Sequence, residues 1–292
     1  MPDAPATSGD AADTAQTCPV CPHCCRLREG QTGICGARGI HKGRLVSLNY
    51  GQATALALDP IEKKPLARFH PGTKILSYGS YGCNLRCAFC QNADISTATV
   101  SQHPATEQIT PAELVRQALA LRSAGNSGIA FTYNEPLIAP EFLIDTAQRA
   151  HENELMTVAV TNGYASVDIW QNCLAHLDAV NIDLKCFSEE GYATLGASDG
   201  LLVVQRSIQL AAHAGVHTEV TTLVVPGLSD DTDAFEREVR WLATISRDIP
   251  LHISRFFPHY KAQANAPTDL SILHAFEMIA REHLAHVYLG NV

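Results

Sequence analysis

The segment Cys83-Asn84-Leu85-Arg86-Cys87-Ala88-Phe89-Cys90 carries three cysteines in a C-x3-C-x2-C spacing, at the end of the apolar run Lys74 to Gly82. Thiolates are the usual ligands of iron–sulfur clusters, and a [4Fe–4S] cube takes four. This loop supplies three, which leaves one iron open to a substrate or cofactor. The spacing suits one short loop wrapped around a cube, and aromatic Phe89 precedes the third thiol. The alternative is a zinc knuckle or a set of packed free thiols. Zinc sites usually pair cysteines as two C-x2-C units, which x3 followed by x2 fits poorly, so the spacing favours the cluster.

A second cysteine group lies upstream, at Cys18, Cys21, Cys24, Cys25 and Cys35. Cys18-x2-Cys21 is a metal half-site, which Cys25 and Cys35 would complete, with Cys24 competing for the place of Cys25. Gly30, Gly33 and Gly36 suit tight turns around such a site. Zinc and an auxiliary iron–sulfur cluster are both compatible, and unmetallated thiols packing a small lobe are the alternative. His23 is a further candidate ligand, against the simpler reading of an exposed ring. Of the remaining cysteines, Cys173 falls in a helical stretch and is assigned to the core. Cys186, next to Lys185, is a candidate for substrate chemistry.

The chain that must position these groups has 292 residues, is 46% hydrophobic and 17% charged, and has a formal net charge of −9. That balance describes a soluble globular protein with one large α/β domain and a small appendage. The acidic total gives no support for nonspecific nucleic-acid binding. No apolar run reaches the roughly 18 residues of a membrane span. Residues 1–16 have neither the basic nor the apolar region of a signal peptide and read as a disordered tail. Ten cysteines at metal-like spacings, rather than in a disulfide framework, point to a reducing cytoplasm. The domain reading is a cysteine-rich lobe over 17–70 and the main domain over 71–292.

Within the lobe, residues 44–58 have strand character and suggest a hairpin or a short strand pair leading into the main domain. Asp59-Pro60-Ile61-Glu62-Lys63-Lys64-Pro65-Leu66, with two prolines, reads as an extended loop with solvated charges. Strands are then expected over 74–81, 128–134, 155–161, 179–185, 217–225 and 251–257. They alternate with helices over 111–124, 140–153, 166–176, 201–214, 231–246 and 269–284. Thr110 before Pro111, with Glu113 three residues on, reads as a helix start, as does Ser166; Gly125 and Gly215 read as stops. Six β-α units imply a parallel sheet with right-handed crossovers, in a partial (β/α)6 barrel or an open doubly wound sheet.

In Asn181-Ile182-Asp183-Leu184-Lys185, alternation puts the three polar side chains on one strand face. The outer face of a barrel must be apolar to receive helices, so the polar set points inward. Buried charge there is either a structural ion pair or a working site. Three more strand ends carry polar residues: Thr132-Tyr133-Asn134-Glu135-Pro136, Thr161-Asn162-Gly163 and Phe256-Phe257-Pro258-His259-Tyr260.

Cys83, Cys87, Phe89 and Cys90 together resemble the C-x3-C-x-aromatic-C signature of the radical S-adenosylmethionine (SAM) superfamily. The resemblance implies the partial barrel, with the cluster loop at the C-terminal mouth of the first strand. It implies a [4Fe–4S] cluster whose open iron chelates SAM, and reductive cleavage to a 5′-deoxyadenosyl radical that abstracts hydrogen. Asp183-x-Lys185 resembles a SAM-holding motif of the glycyl-radical activating enzymes. By that resemblance Lys185 approaches the SAM carboxylate. Glu135 stands where many members have Gly-Gly-Glu, whose acid holds the methionine ammonium; Tyr133 and Asn134 replace the glycines here. Thr161-Asn162-Gly163 resembles the activating enzymes' Thr-Asn-Gly, but Val160 replaces the acid before it. His259 is a candidate contact to adenosine or substrate.

Cys18-x2-Cys21-Pro22-His23, Gly33-x-Cys35-Gly36-x-Arg38, residues 59–66, Gln91-Asn92 and Tyr133-Asn134-Glu135-Pro136 together resemble the AmmeMemoRadiSam radical SAM subgroup. That subgroup is similar to pyruvate formate-lyase activating enzymes. It implies an oxidoreductase with an unidentified substrate, Memo-like and AMMECR-like partners, and a low-potential electron donor such as flavodoxin or ferredoxin. The alternative is an activating enzyme for a glycyl-radical partner.

Overall fold

The computed structural model describes residues 15–102 and 105–292. The chain opens with four short strands, β1 (Gln16–Thr17), β2 (Arg26–Leu27), β3 (Arg38–His41) and β4 (Arg44–Ser47). They pair as antiparallel couples, β1 with β2 and β3 with β4. The hairpin expected after residue 44 therefore forms with the strand upstream of it. Gln16, read as tail, is already paired with Leu27; the rest of that reading, residues 1–14, lies outside the described residues.

The strands β5 (Gln52–Ala53), β6 (Ala55–Pro60) and β7 (Lys74–Gly79) follow, then α1 (Ala93–Ser96), β8 (Glu107–Gln108), α2 (Pro111–Ala120) and β9 (Asn126–Phe131). Next come α3 (Pro140–His151), β10 (Met156–Thr161), α4 (Val167–Leu174), β11 (Ala179–Asp183), α5 (Glu189–Thr194) and α6 (Gly200–His213). The chain finishes with β12 (His217–Val224), α7 (Thr232–Ile245), β13 (Leu251–Arg255), α8 (Leu270–His283) and β14 (Val287–Gly290). One eight-stranded sheet runs β14-β13-β12-β11-β10-β9-β7-β6, parallel throughout except for β6, which runs antiparallel to β7. Its six central strands are the six expected from the sequence. β6 and β14 extend it at either edge, giving a partial barrel of TIM type.

Local chemistry explains the helix boundaries. Thr110 and Glu113 form a reciprocal capping box ahead of Pro111. Asp231 and Asp269 cap α7 and α8 through their carboxylates. Ser166 also begins a helix, but its hydroxyl donates to Pro19 O at 2.6 Å instead of capping, which fastens α4 to the N-terminal lobe.

Alternation along the strands divides the interior from the helix-facing side. Ile129, Phe131, Ala159, Val180, Ile182, Val220 and Ile253 pack outward in the main core. Ile75, Ala130, Val158 and Ala179 point inward and pack on Ile61, Leu66 and Phe69. Residues 55–70, assigned to the lobe by sequence, thus supply an edge strand and the floor of the barrel. The solvated-loop reading of 59–66 fails for this reason. Lys64 is 3% exposed and binds Asp59 at 2.8 Å, and Asp59 also accepts from Ser77 and Tyr133. Glu219, fully buried on β12, accepts the backbone N–H groups of Ala67 and Arg68 and holds the floor segment in place.

Candidate active site

The cluster loop leaves the C-terminal end of β7. At Gly82 the backbone has φ +87° and passes so close to the lobe that a Cβ would lie 2.5 Å from Cys35 O; only glycine meets both demands. The loop is fixed on several sides. Ser80 N donates to Asn134 Oδ1, and Asn134 Nδ2 donates to the carbonyls of Tyr81 and Gly82. Arg86 N donates to Leu195 O, and Lys261 N to Ala88 O. The Arg86 guanidinium binds Cys83 O at 2.7 Å and also Ile34 O.

Cys83, Cys87 and Cys90 open onto one cavity of about 350 Å³. Phe89, Glu135, Thr161, Asn162, Asp183 and Lys185 line the same cavity, so nine of the ten residues singled out around the cluster loop and barrel converge there. His259 does not: it is exposed on the loop after β13, and the cavity wall is completed without it. Cys173 is fully buried in the core, as expected. Cys186 is 1% exposed, bonds to Ser188 O, and is not among the residues lining the cavity.

Burial pushes the Cys87 thiol up to about 11, against the pull of Lys185. It pushes Cys83 well above the ordinary range, with Glu135 adding to the effect. Such thiols give up their protons to a metal rather than to water. Lys185 Nζ sits 2.7 Å from Asp183 Oδ2. Burial alone would lower the lysine, but Asp183 and the thiols of Cys87 and Cys90 outweigh it and hold Lys185 above its usual value. The inward-facing pair read from alternation is therefore a paired ammonium and carboxylate at the cavity wall.

Glu135 is 2% exposed, and burial pushes it up to about 7. Its oxygens accept from the Thr161 hydroxyl at 2.6 Å, Asn162 N at 2.8 Å and Leu137 N at 2.9 Å. It thereby ties the end of β9 to the end of β10. Tyr133 explains how the glycines of the resembled pattern are dispensed with. Its φ is +71°, the left-handed region that favours glycine, and the side chain is held there by a 2.7 Å bond to Asp59. Asn92 Nδ2 donates to Tyr133 O, linking this turn to the cluster loop. Tyr133, Asn134 and Lys63 also line the cavity, and Asn84 braces Asn162 behind it, without a role of their own in the sequence reading; Tyr133, Asn134 and Asn84 are placed by contacts some 50 to 80 residues away.

In the lobe, Cys18, Cys21 and Cys35 are buried, Cys25 is partly buried, and Cys24 is exposed with φ +44°. Burial pushes Cys21 up to about 12, and the nearby Cys35 and Cys18 thiols add to it. Cys35 is raised by burial, with Cys18 and Cys25 adding. Cys25, not Cys24, is thus the thiol that shares this pocket. His23 is half-buried: its Nε2 lies 2.8 Å from Asn84 O and its ring meets Tyr164 edge-on. Among the described residues, no group of three or more His, Cys, Asp or Glu side chains is arranged to hold a single metal ion. Neither cysteine group is therefore preformed for one zinc ion. The donor set of the central cavity does fit a cluster and SAM: three thiols on one loop, with a paired cation and anion opposite for a zwitterionic ligand.

Comparison with known proteins agrees. Residues 77–239 match the pattern described as the Radical SAM superfamily. An uncharacterized protein of Methanocaldococcus jannaschii is 37% identical over 270 residues, covering 92% of this chain and 79% of that one. A pyruvate formate-lyase-activating enzyme of Clostridium pasteurianum is 28% identical over 171 residues, covering 58% of this chain and 67% of that one. In fold, a radical SAM methyltransferase from Sphaerobacter thermophilus superposes with a TM-score of 0.53 at 17% identity, over 76% of this chain and 67% of that one. The three-thiol loop at the mouth of a parallel partial barrel and the matched region coincide, and the chain belongs to the radical SAM superfamily.

Proposed function

We propose that Cys83, Cys87 and Cys90 hold a [4Fe–4S] cluster and that SAM occupies the rest of the cavity, against Asp183 and Lys185. The convergence of the three thiols and the Asp183–Lys185 pair on one cavity carries this reading. When bound, the cluster and SAM supply one-electron reductive cleavage of SAM and so the means to take a hydrogen atom from a substrate. The chain's residues bind, orient and shelter. Lys185 offers its ammonium to the methionine carboxylate, a charge-assisted bond at a sheltered wall. Asp183 keeps that lysine aimed and accepts from the methionine ammonium. Glu135 sets the ends of β9 and β10, and Phe89 walls the cavity beside the loop. We place a second metal centre at Cys18, Cys21, Cys25 and Cys35.

The hydrogen donor, in this reading, is a substrate other than a glycyl-radical enzyme, handled with Memo-like and AMMECR-like partners. Two observations favour it. The 37% identical relative spans 92% of the chain, against 58% for the activating enzyme, and Val160 lines the cavity where activating enzymes carry an acid. The second reading, a glycyl-radical activating enzyme, draws on those activating-enzyme relatives. Incubating the reconstituted protein and SAM with a glycyl-radical enzyme separates the two. No glycyl doublet by electron paramagnetic resonance, with deoxyadenosine formed beside a Memo-like partner, is the expected result. A doublet in good yield would establish the activating enzyme instead.

A further inference from the structure

Helix α7 turns Phe235, Val239 and Leu242 toward the sheet, the i, i+4 and i+7 positions of an apolar stripe. The i+3 position of the same stripe is Glu238, a carboxyl where an apolar side chain is expected. It is 1% exposed. The Thr222 hydroxyl of β12, equally buried, donates to one of its oxygens, and no second hydrogen-bond partner occurs among the described residues. A buried acid facing one neutral hydroxyl is unfavourable until a donor or a cation completes it.

Room for such a group exists beside it. Glu238 lines a cavity of about 260 Å³ between the first turns of α7 and the loops that follow β11 and β12. Phe187, Leu228, Ala234 and Phe235 supply apolar walls, and Asp231 and Arg237 are the other charged lining residues. One Asp231 oxygen caps α7 by accepting from Ala234 N at 2.7 Å. Arg237 is exposed and makes no ion pair among the described residues. It does not serve Glu238, because consecutive residues of a helix do not face each other. The Cys186 thiol and the Tyr192 hydroxyl also lie within electrostatic reach of Glu238, and burial raises both.

A buried carboxyl among aliphatic and aromatic walls selects its ligand. A primary ammonium brings a charge and three donors, and its alkyl chain suits the apolar lining. The rings of Phe187 and Phe235 favour a cation over an anion. Two carboxyls in such walls are too few oxygens for a hard metal ion. Ser188 and Leu228 also line an adjoining cavity of about 460 Å³ that reaches Ala88 and Phe89 of the cluster loop. The Glu238 cavity therefore lies beside the barrel mouth, and it shares no lining residue with the cavity of the three thiols.

We propose that this cavity is a second ligand site, separate from the cluster cavity, which takes a primary alkylammonium group with Glu238 as its counter-ion. A free amine and a lysine side chain share that chemistry. Burial pushes Glu238 up to about 8, so without a counter-charge it keeps its proton at pH 7. An arriving ammonium stabilises the carboxylate, and the proton passes to solvent. Binding at pH 7 thus releases about one proton.

The site does not depend on the cluster, and its test uses the full-length protein without SAM. n-Pentylamine, 1-pentanol and the peptide acetyl-Gly-Lys-Gly-amide are titrated by calorimetry at pH 7, in two buffers of different ionisation enthalpy. The expected result is saturable binding of an ammonium probe with release of about one proton. Glu238→Gln, which keeps an acceptor for Thr222, should bind it at least about tenfold more weakly and release none. Ala234→Leu keeps Glu238 but fills the cavity, and should lose binding as well. Tighter binding of pentylamine identifies a free amine as the source, and tighter binding of the peptide a lysine side chain. Absence of saturable ammonium binding would overturn the proposal. So would pentanol bound as tightly as the amine, or unaltered affinity in Glu238→Gln or Ala234→Leu. A merely structural Glu238 predicts changed stability in the Gln variant with unchanged amine binding.

Discussion

The amide nitrogen of Asn162 lies 3.6 Å from Cys83 Sγ, and its orientation is fixed by the rest of the side chain. Asn162 Oδ1 accepts from Tyr164 N at 2.8 Å, and Nδ2 also donates to Asn84 Oδ1, so the NH2 group faces the thiol. With Leu85 N at 3.4 Å, Cys83 Sγ has two N–H neighbours. Hydrogen bonds to ligand sulfurs raise cluster potentials, because they stabilise the more negative reduced state. Asn162→Leu is expected to lower the potential of the reconstituted cluster and to slow SAM cleavage roughly 10- to 100-fold. Potentiometric titration followed by electron paramagnetic resonance checks it; an unchanged potential would reduce Asn162 to a loop brace.

Lys185 and Asp183 are expected to govern SAM affinity and not cluster content. Lys185→Ala removes a charge-assisted bond of about 1.5–3 kcal/mol, roughly 10- to 100-fold in dissociation constant. Asp183→Ala frees the lysine from its 2.7 Å partner and weakens SAM in the same direction. Iron and sulfide per chain should match the wild type in both. Unaltered SAM binding in the two variants would return the pair to a purely structural role.

Much of this site is legible in the sequence because it depends on local spacing. The C-x3-C-x2-C loop, the inward face of Asn181, Asp183 and Lys185, and the Thr110 capping box each need only a few consecutive residues. What was misread depends on contacts across the chain. Residues 59–66 look like a solvated loop, because nothing nearby shows that Lys64 is buried under Tyr133, 69 positions on, with Asp59 as its counter-charge. The left-handed turn at Tyr133 is invisible for the same reason: a bulky residue is held in it by Asp59 and Asn92, both distant in sequence. His259 reads as closing the sixth strand, but β13 ends at Arg255 and the loop that follows leaves His259 exposed.

The barrel floor should set the acid stability of the protein. Glu219 has its carboxyl pulled from 4.5 to about 2: burial opposes ionisation, but bonds from His217, His252, Arg68 N and Ala67 N outweigh it. Its folded value is below its unfolded one, so its contribution is fully present above about pH 4.5 and is lost as pH falls toward 2. The size is about 3 kcal/mol. Glu219→Gln should destabilise the protein at neutral pH and flatten the stability profile between pH 4.5 and 2, measured by chemical denaturation. A variant with the wild-type acid slope would show that another carboxylate controls it.

The N-terminal thiols are expected to bind metal independently of the radical site. Metal and sulfide analysis of the Cys83→Ala/Cys87→Ala/Cys90→Ala variant should find one centre remaining. Zinc would identify a structural ion that draws the four thiols together on binding, and iron with sulfide an auxiliary cluster. A variant free of zinc, iron and sulfide would leave Cys18, Cys21, Cys25 and Cys35 as packed thiols.

The most direct measurement is SAM turnover by the reconstituted protein. Loaded anaerobically with iron and sulfide, reduced with dithionite and given SAM, the wild type is predicted to yield 5′-deoxyadenosine and methionine. The Cys83→Ala/Cys87→Ala/Cys90→Ala variant is predicted to yield neither and to lose about one cluster's iron, on the order of four per chain. A fully loaded wild-type cluster that forms no deoxyadenosine, or a triple variant with undiminished iron, would contradict the account.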